Sequence, residues 1–207
     1  MPTEPTVFVV DDQEQARKSV CALVRSMGVR GEAFSSGEEF LRRYVRDEPG
    51  CLVTDVRMLG MSGLELQQKL AAEMVRLPVI VMTAYPATRV VVRAMAAGAI
   101  TLLEKPYEEE ELWDAIRRAL AKDAAQRAGL ERQREVQLRA SQLTPEERRV
   151  MNMIVSGMPN KTIAKRLDVS LRTVENRRRE VFAKMGVDSV AGLVRLVIEG
   201  GLDEARI

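Results

Sequence analysis

Residues 51–58, CLVTDVRM, constrain this chain more than any other stretch, because an apolar run of strand length halts there at an aspartate. Apolar runs of about four to eight residues bounded by turn signals read as buried strands. A buried strand closed by a carboxylate presents it at the C-terminal edge of the sheet, where open α/β sheets bind ligands. An aspartate so placed can serve as a metal ligand, a general base or a nucleophile that forms an acyl phosphate. We read Asp55 as the last of these, an acceptor of a phosphoryl group, with the rest of the chain assisting or reporting the transfer.

The same pattern recurs. Residues 6–10, TVFVV, end in Asp11 and Asp12; residues 29–34 can form a strand; residues 78–82, PVIVM, are closed by Thr83; and residues 100–103 are closed by Glu104, Lys105 and Pro106. Helical spacing fills the intervals. Ala16, Val20, Leu23, Val24 and Met27 give one helix, stopped by Gly28, and a capping box at Ser36 and Glu39 opens another to about residue 46. Residues 64–74 and 87–97 read as helices, the latter capped by Gly98, and Glu108 opens a long one carrying Leu112, Trp113, Ile116 and Leu120. Five strands alternating with five helices imply a parallel sheet with helices on both faces. Asp11, Asp12, Asp55, Thr83 and Lys105 then all fall at C-terminal strand ends. Three clustered carboxylates repel one another, and a hard divalent cation such as Mg2+ relieves this while keeping waters for a phosphate donor. A hydroxyl and an ammonium suit the oxygens of a transferred phosphoryl group. Taken singly, each residue has a plainer use as a helix cap or a turn. The assignment rests on all five sharing one end of the sheet.

Composition narrows the field. The 207 residues suffice for two domains, and 46% apolar against 30% charged residues without a low-complexity tract favours globular order. No apolar run reaches the ~18 residues of a membrane span, and MPTEPTVFVV carries an acid where a signal peptide needs a basic region. A cytoplasmic protein with no membrane partner is expected. Cys21 and Cys51 lie in apolar segments without C-x-x-C spacing and read as buried free thiols. The chain has no histidine, which excludes His-dependent triads and His-ligated metal sites, so any phosphohistidine must belong to a partner. An acidic first half precedes a basic second half, pointing the latter toward an anionic partner.

Residues 122–141 are charged, Ala-rich and free of proline, and are expected to extend the preceding helix as a solvated spacer. A coiled coil is disfavoured because Ile116, Leu120, Asp123, Arg127, Leu130, Arg134 and Gln137 form no apolar seam. After Leu143, Thr144, Pro145, Glu146 and Glu147 make a capping box with proline at the first helical position, and the apolar face of Val150, Met151, Ile154 and Val155 stops at Gly157. Asn160 is expected to cap a second helix. Asp168 and Val169 turn the chain, Ser170 caps a third helix to about residue 185, and Ser189 begins a fourth. Helix, short turn and basic helix is the helix-turn-helix pattern. On the third helix Leu171, Val174, Val181, Phe182 and Met185 form the expected buried stripe, while Arg172, Glu175, Asn176 and Arg179 share another face. Arginine reads guanine, asparagine reads adenine and glutamate can accept from cytosine, so that face suits a major groove.

Residues 6–121 resemble the receiver domain of two-component response regulators, with VVDD (9–12), TDVRM and MSG within 54–63, MTA (82–84) and EKP (104–106) in order. The resemblance implies a flavodoxin-like fold, Asp55 as phosphoacceptor, Asp11 and Asp12 as the acidic pair of the metal site, and Mg2+ held by Asp12, Asp55 and the backbone carbonyl of Arg57. Thr83 and Lys105 would bind the phosphoryl oxygens, and the Lys105–Pro106 peptide would be cis. Leu59 stands where the family usually has proline, which should loosen its loop, and Leu102 replaces an aromatic that commonly turns inward on activation. Residues 143–202 resemble the LuxR-type DNA-binding domain of the kind joined to FixJ-group receivers, through LTPEERRVM, GMPNKTIAKRLDVSLRTVENRRREVFAKMGV and SVAGLVRL. By that resemblance Glu175, Asn176 and Arg179 face bases, Lys161, Thr173, Arg177 and Lys184 contact phosphates, and the fourth helix mediates dimer contacts.

The expected organisation is a receiver over residues 1–121, a helical linker over 122–142 and an all-α, four-helix helix-turn-helix domain over 143–207. A partner histidine kinase would phosphorylate Asp55 with Mg2+, and the phosphorylated chain would dimerise or release its DNA-binding domain to control promoter DNA. RNA polymerase is a further candidate partner. The chain is not expected to be a metabolic enzyme, since it supports only its own phosphotransfer and dephosphorylation. Two rivals stand beside this reading. One is a phosphatase working through an aspartyl phosphate, although such enzymes commonly carry an acid where this chain has Arg57; the other is an interaction module with vestigial phosphorylation.

Overall fold

Val-rich runs become strands because β-branched side chains pack well on a pleated surface covered on both faces. The strands β1 (Thr6–Val10), β2 (Arg30–Phe34), β3 (Gly50–Asp55), β4 (Val79–Thr83) and β5 (Thr101–Glu104) pair in parallel in the order β2-β1-β3-β4-β5. Register brings their ends level: Val10 lies opposite Phe34 and Thr54, Asp55 opposite Met82, and Thr83 opposite Glu104. Helices α1 (Glu14–Ser26), α2 (Gly37–Arg43), α3 (Gly63–Ala72), α4 (Thr88–Ala96) and α5 (Glu109–Ser141) connect and follow them. Side-chain alternation divides the strands between two cores. Val7, Val9, Val53 and Met82 pack with Val20 and Val24 of α1 and Leu112 and Ile116 of α5. Phe8, Val10, Leu52 and Val81 pack with Phe40, Leu66, Leu70 and Ala94 of α2, α3 and α4.

The structure, a computed structural model, describes residues 4–202, so the outermost ends of the two expected domains, residues 1–3 and 203–207, lie outside the described residues. Two units are distinguished, one up to Gln126 and one from Arg127, and α5 contributes to both. Early in the expected spacer Asp123 is buried and accepts the Gly50 N–H at 3.0 Å, while near its end Val136 and Ala140 belong to the core of the second unit. The segment is therefore largely exposed but not a free spacer, being anchored near both ends. Helix α2 ends three residues before the expected 46, because Tyr44 turns extended and its ring stacks on Phe40 at 5.0 Å and meets Phe8 edge-on at 5.3 Å.

The second unit adds α6 (Pro145–Val155), α7 (Asn160–Leu167), α8 (Leu171–Met185) and α9 (Val190–Gly200). Thr144 and Glu147 form the full reciprocal capping box at the start of α6. Val150, Ile154, Ile163, Val174, Val181, Met185 and Leu193 fill the core. Two expectations fail locally. Asn160 does not cap α7, since Pro159 occupies that position and the Asn160 side chain accepts from Arg178 instead. Leu171, in the first turn of α8, is exposed, and Phe182 is only half-buried, so the stripe narrows to Val174, Val181 and Met185. Both cysteines are free and buried, and no helix among the described residues is long and apolar enough to cross a membrane.

Candidate functional site

Strand order reverses between β1 and β3, and ligands of open parallel sheets bind at such a crevice. Asp11 follows β1 with no exposed surface, Asp55 closes β3, Thr83 closes β4, and Lys105 follows β5. Lys105 Nζ donates to Asp11 Oδ2 at 2.7 Å and to Asp55 Oδ1 at 2.6 Å. Burial alone would push this ammonium down, but its hydrogen bonds to Asp11 and Asp55 prevail and raise its pKa above the ordinary lysine value. The other carboxylate oxygens are met by backbone: Arg57 N–H donates to Asp55 Oδ2 at 2.6 Å and Gln13 N–H to Asp11 Oδ1 at 2.8 Å. Thr83 Oγ1 accepts the Tyr85 N–H at 3.2 Å, and the Lys105–Pro106 peptide is cis.

The loop after β3 is tied rather than loosened. Leu59 N–H donates to Asp12 Oδ2 at 3.0 Å, a bond that proline could not make, and Met61 N–H donates to Glu38 Oε1 at 2.9 Å. The loop closes at Gly63, where a Cβ would stand 2.1 Å from the Asp55 carbonyl oxygen, and a Ser62–Glu65 capping box launches α3. That box is visible in the sequence as S-x-x-E. The Arg57 guanidinium lies 4.5 Å over the Tyr85 ring, joining the loops after β3 and β4. Leu102 is half-buried and packs against the second core of the sheet.

Among the described residues no group of three or more His, Cys, Asp or Glu side chains is arranged to hold a metal. The expected convergence of Asp11, Asp12 and Asp55 on one ion is therefore not formed in this arrangement: Lys105 spans the first and third, and Leu59 engages the second. In kind the donors do fit Mg2+, since carboxylate oxygens and a backbone carbonyl are the hard ligands it takes.

On α8 the side chains of Arg172, Glu175, Asn176 and Arg179 are all exposed, as is Lys161 on α7, while Thr173 and Arg177 are half-buried. Lys184 departs from expectation. Its ammonium donates to both carboxylate oxygens of buried Glu147, at 2.9 and 2.7 Å, and so braces α8 against α6 rather than standing ready for a phosphate. The Lys184 hydrogen bond in turn lowers the Glu147 pKa, against the effect of burial. No local spacing announces a pair so far apart in sequence. Arg178, which the sequence reading passed over, donates to Asn160 Oδ1 at 3.1 Å and lies 5.0 Å from the Phe182 ring centre, tying α8 to the start of α7.

Comparison with known proteins places both halves. Residues 7–117 match the response regulator receiver domain, and residues 141–197 match the LuxR family of bacterial regulatory proteins. The chain is 39% identical over 199 residues to the transcriptional regulatory protein FixJ of Rhizobium meliloti, covering 96% of this chain and 98% of that protein. It is 36% identical to the transcriptional regulatory protein TdiR of Thauera aromatica, covering 94% and 86%. Among solved structures, the response regulator StyR superposes with a TM-score of 0.86 at 41% identity, covering 95% of this chain and 100% of that one. Full-length FixJ from B. japonicum gives a TM-score of 0.58 at 33% identity, covering 98% and 100%.

Proposed function

This chain belongs to the FixJ-like two-component response regulators, in which a receiver domain is joined to a LuxR-type DNA-binding domain, and from that premise we propose that Asp55 is its phosphoacceptor. The family comprises transcriptional regulators rather than enzymes. The observation that carries the reading is the Lys105 ammonium held between Asp11 and Asp55 at the C-terminal edge of the sheet.

With no histidine of its own, the chain takes the phosphoryl group from a partner kinase. An Asp55 carboxylate oxygen attacks phosphorus, the new O–P bond forms as the N–P bond of the partner's phosphohistidine breaks, and the product is an acyl phosphate. Lys105 and Thr83 bind the phosphoryl oxygens as charge gathers on them. Asp12, Asp55 and the Arg57 carbonyl, with Asp11 beside them, would hold Mg2+, which would supply further positive charge to those oxygens. Output runs through α8 and the start of α7: Glu175, Asn176 and Arg179 on the exposed face of α8 read bases, while Lys161 of α7 and the half-buried Thr173 and Arg177 of α8 hold phosphates in promoter DNA.

Intact-mass measurement after incubation with a small acyl-phosphate donor and Mg2+ tests the acceptor. The wild-type chain gains one phosphoryl group that persists, and Asp55→Asn, which keeps the shape but loses the nucleophilic charge, gains none. An equal gain in the variant moves the acceptor elsewhere, and rapid turnover without an adduct supports a phosphatase.

A further inference from the structure

We propose that the Leu59 backbone amide is a latch that holds Asp12 in the cation-free receiver and competes with Mg2+ for it. The inference rests on the reading of Asp12 as a cation ligand. Asp12 is half-exposed, and Leu59 N–H lies 3.0 Å from its Oδ2. A carboxylate oxygen that accepts a short N–H bond is stabilised where it stands, and a bond to a charged acceptor is stronger than one between neutral groups. Drawing that oxygen toward a cation gives up the bond.

The latch is backbone, not side chain. Leu59 is 82% exposed, and the contact it makes with the site is through its N–H. Two neighbours keep that N–H in place. Met61 N–H is anchored on Glu38 Oε1 at 2.9 Å, and Arg57 N–H is anchored on Asp55 Oδ2 at 2.6 Å, so Leu59 lies midway between two fixed points. Gly60, at φ +79°, supplies the left-handed turn between the Leu59 and Met61 amides, which face different carboxylates. Across the crevice Asp11 and Asp55 are each paired with the Lys105 ammonium, whereas Asp12 Oδ2 accepts from the Leu59 amide.

Calorimetric titration of the full chain with Mg2+ tests this with two variants. Leu59→Pro removes the N–H and is expected to bind Mg2+ at least about ten-fold more tightly, the factor that loss of one hydrogen bond to a charged group sets. Leu59→Ala keeps the N–H and is expected to bind within about two-fold of wild type. Amide hydrogen exchange in the wild-type chain gives a readout that does not depend on the proline variant folding: the Leu59 amide should be protected without Mg2+ and lose that protection at saturation. Unchanged Leu59 protection alongside clear Mg2+ binding overturns the latch alone, as do equal affinities for a folded Leu59→Pro and wild type. Absence of Mg2+ binding by the wild-type chain, or an affinity unmoved by Asp12→Asn, overturns the underlying site assignment and the latch with it.

Discussion

The candidate phosphoacceptor site and the candidate DNA-reading face are built by opposite means. At the edge of the sheet Asp11, Asp55, Thr83 and Lys105 come from four separate strand ends, nearly all buried, and are fixed by charge pairs and backbone amides. On α8 Arg172, Glu175, Asn176 and Arg179 come from two turns of one helix, stand exposed, and rely on the core beneath for orientation. The first kind of site should be damaged by small changes in backbone geometry. The second should tolerate them and respond to the identity of single side chains.

Gly63→Ala probes that contrast most severely. The added methyl would stand 2.1 Å from the Asp55 carbonyl oxygen, so strand end or loop must shift. A loss of about 3 kcal/mol is expected, the upper range for overpacking a tight site, with slowed phosphorylation although no charged group is touched. Thermal unfolding and the rate of mass gain read both effects.

Lys184→Ala sharpens the contrast within the DNA-binding unit. It should cost about 2 kcal/mol, as for a lost hydrogen bond to a charged group, while leaving the salt dependence of DNA binding unchanged. A lowered salt slope with intact stability would return Lys184 to the phosphate contacts. The pair also carries a pH signature. Because the Glu147 pKa is lowered in the folded state, its contribution is fully present above the ordinary value of 4.5 and is lost as pH falls through the lowered value. Acid titration of stability should show this loss in wild type and not in Glu147→Gln.

The smallest effects on stability belong to the exposed face. Arg179→Ala should cost ~1–3 kcal/mol on a cognate site and relax preference at one base position, with thermal stability unchanged. Arg177→Ala should weaken all sequences alike and reduce the salt slope by about one unit. Binding over several salt concentrations on cognate and scrambled DNA separates them. If Arg177→Ala collapses the cognate preference and Arg179→Ala does not, the reading face is rotated toward Arg177.

The same contrast explains what was legible in the sequence. Strand ends were readable because each apolar run stops at its polar residue, so topology alone brought Asp55 and Lys105 together. The face of α8 was readable from helical periodicity. What escaped were partners made by tertiary approach: Lys184 with Glu147, Arg178 with Asn160, and the Asp123 bond that fastens the supposed spacer to Gly50. Leu59 misled for a related reason. Proline's stiffness suggested that its replacement slackens the loop, whereas the N–H that leucine restores finds Asp12.

The central claim is that phosphate at a strand end of the first unit governs reading by a helix of the second, and such coupling requires different contacts in the two states. The most direct measurement is DNA affinity of wild type and Asp55→Asn with and without a small acyl-phosphate donor and Mg2+. Wild type should bind a cognate site about ten-fold more tightly when phosphorylated, within the usual range of such coupling, and Asp55→Asn should not respond. Equal tightening in Asp55→Asn, or none in wild type at full phosphate occupancy, would contradict the account.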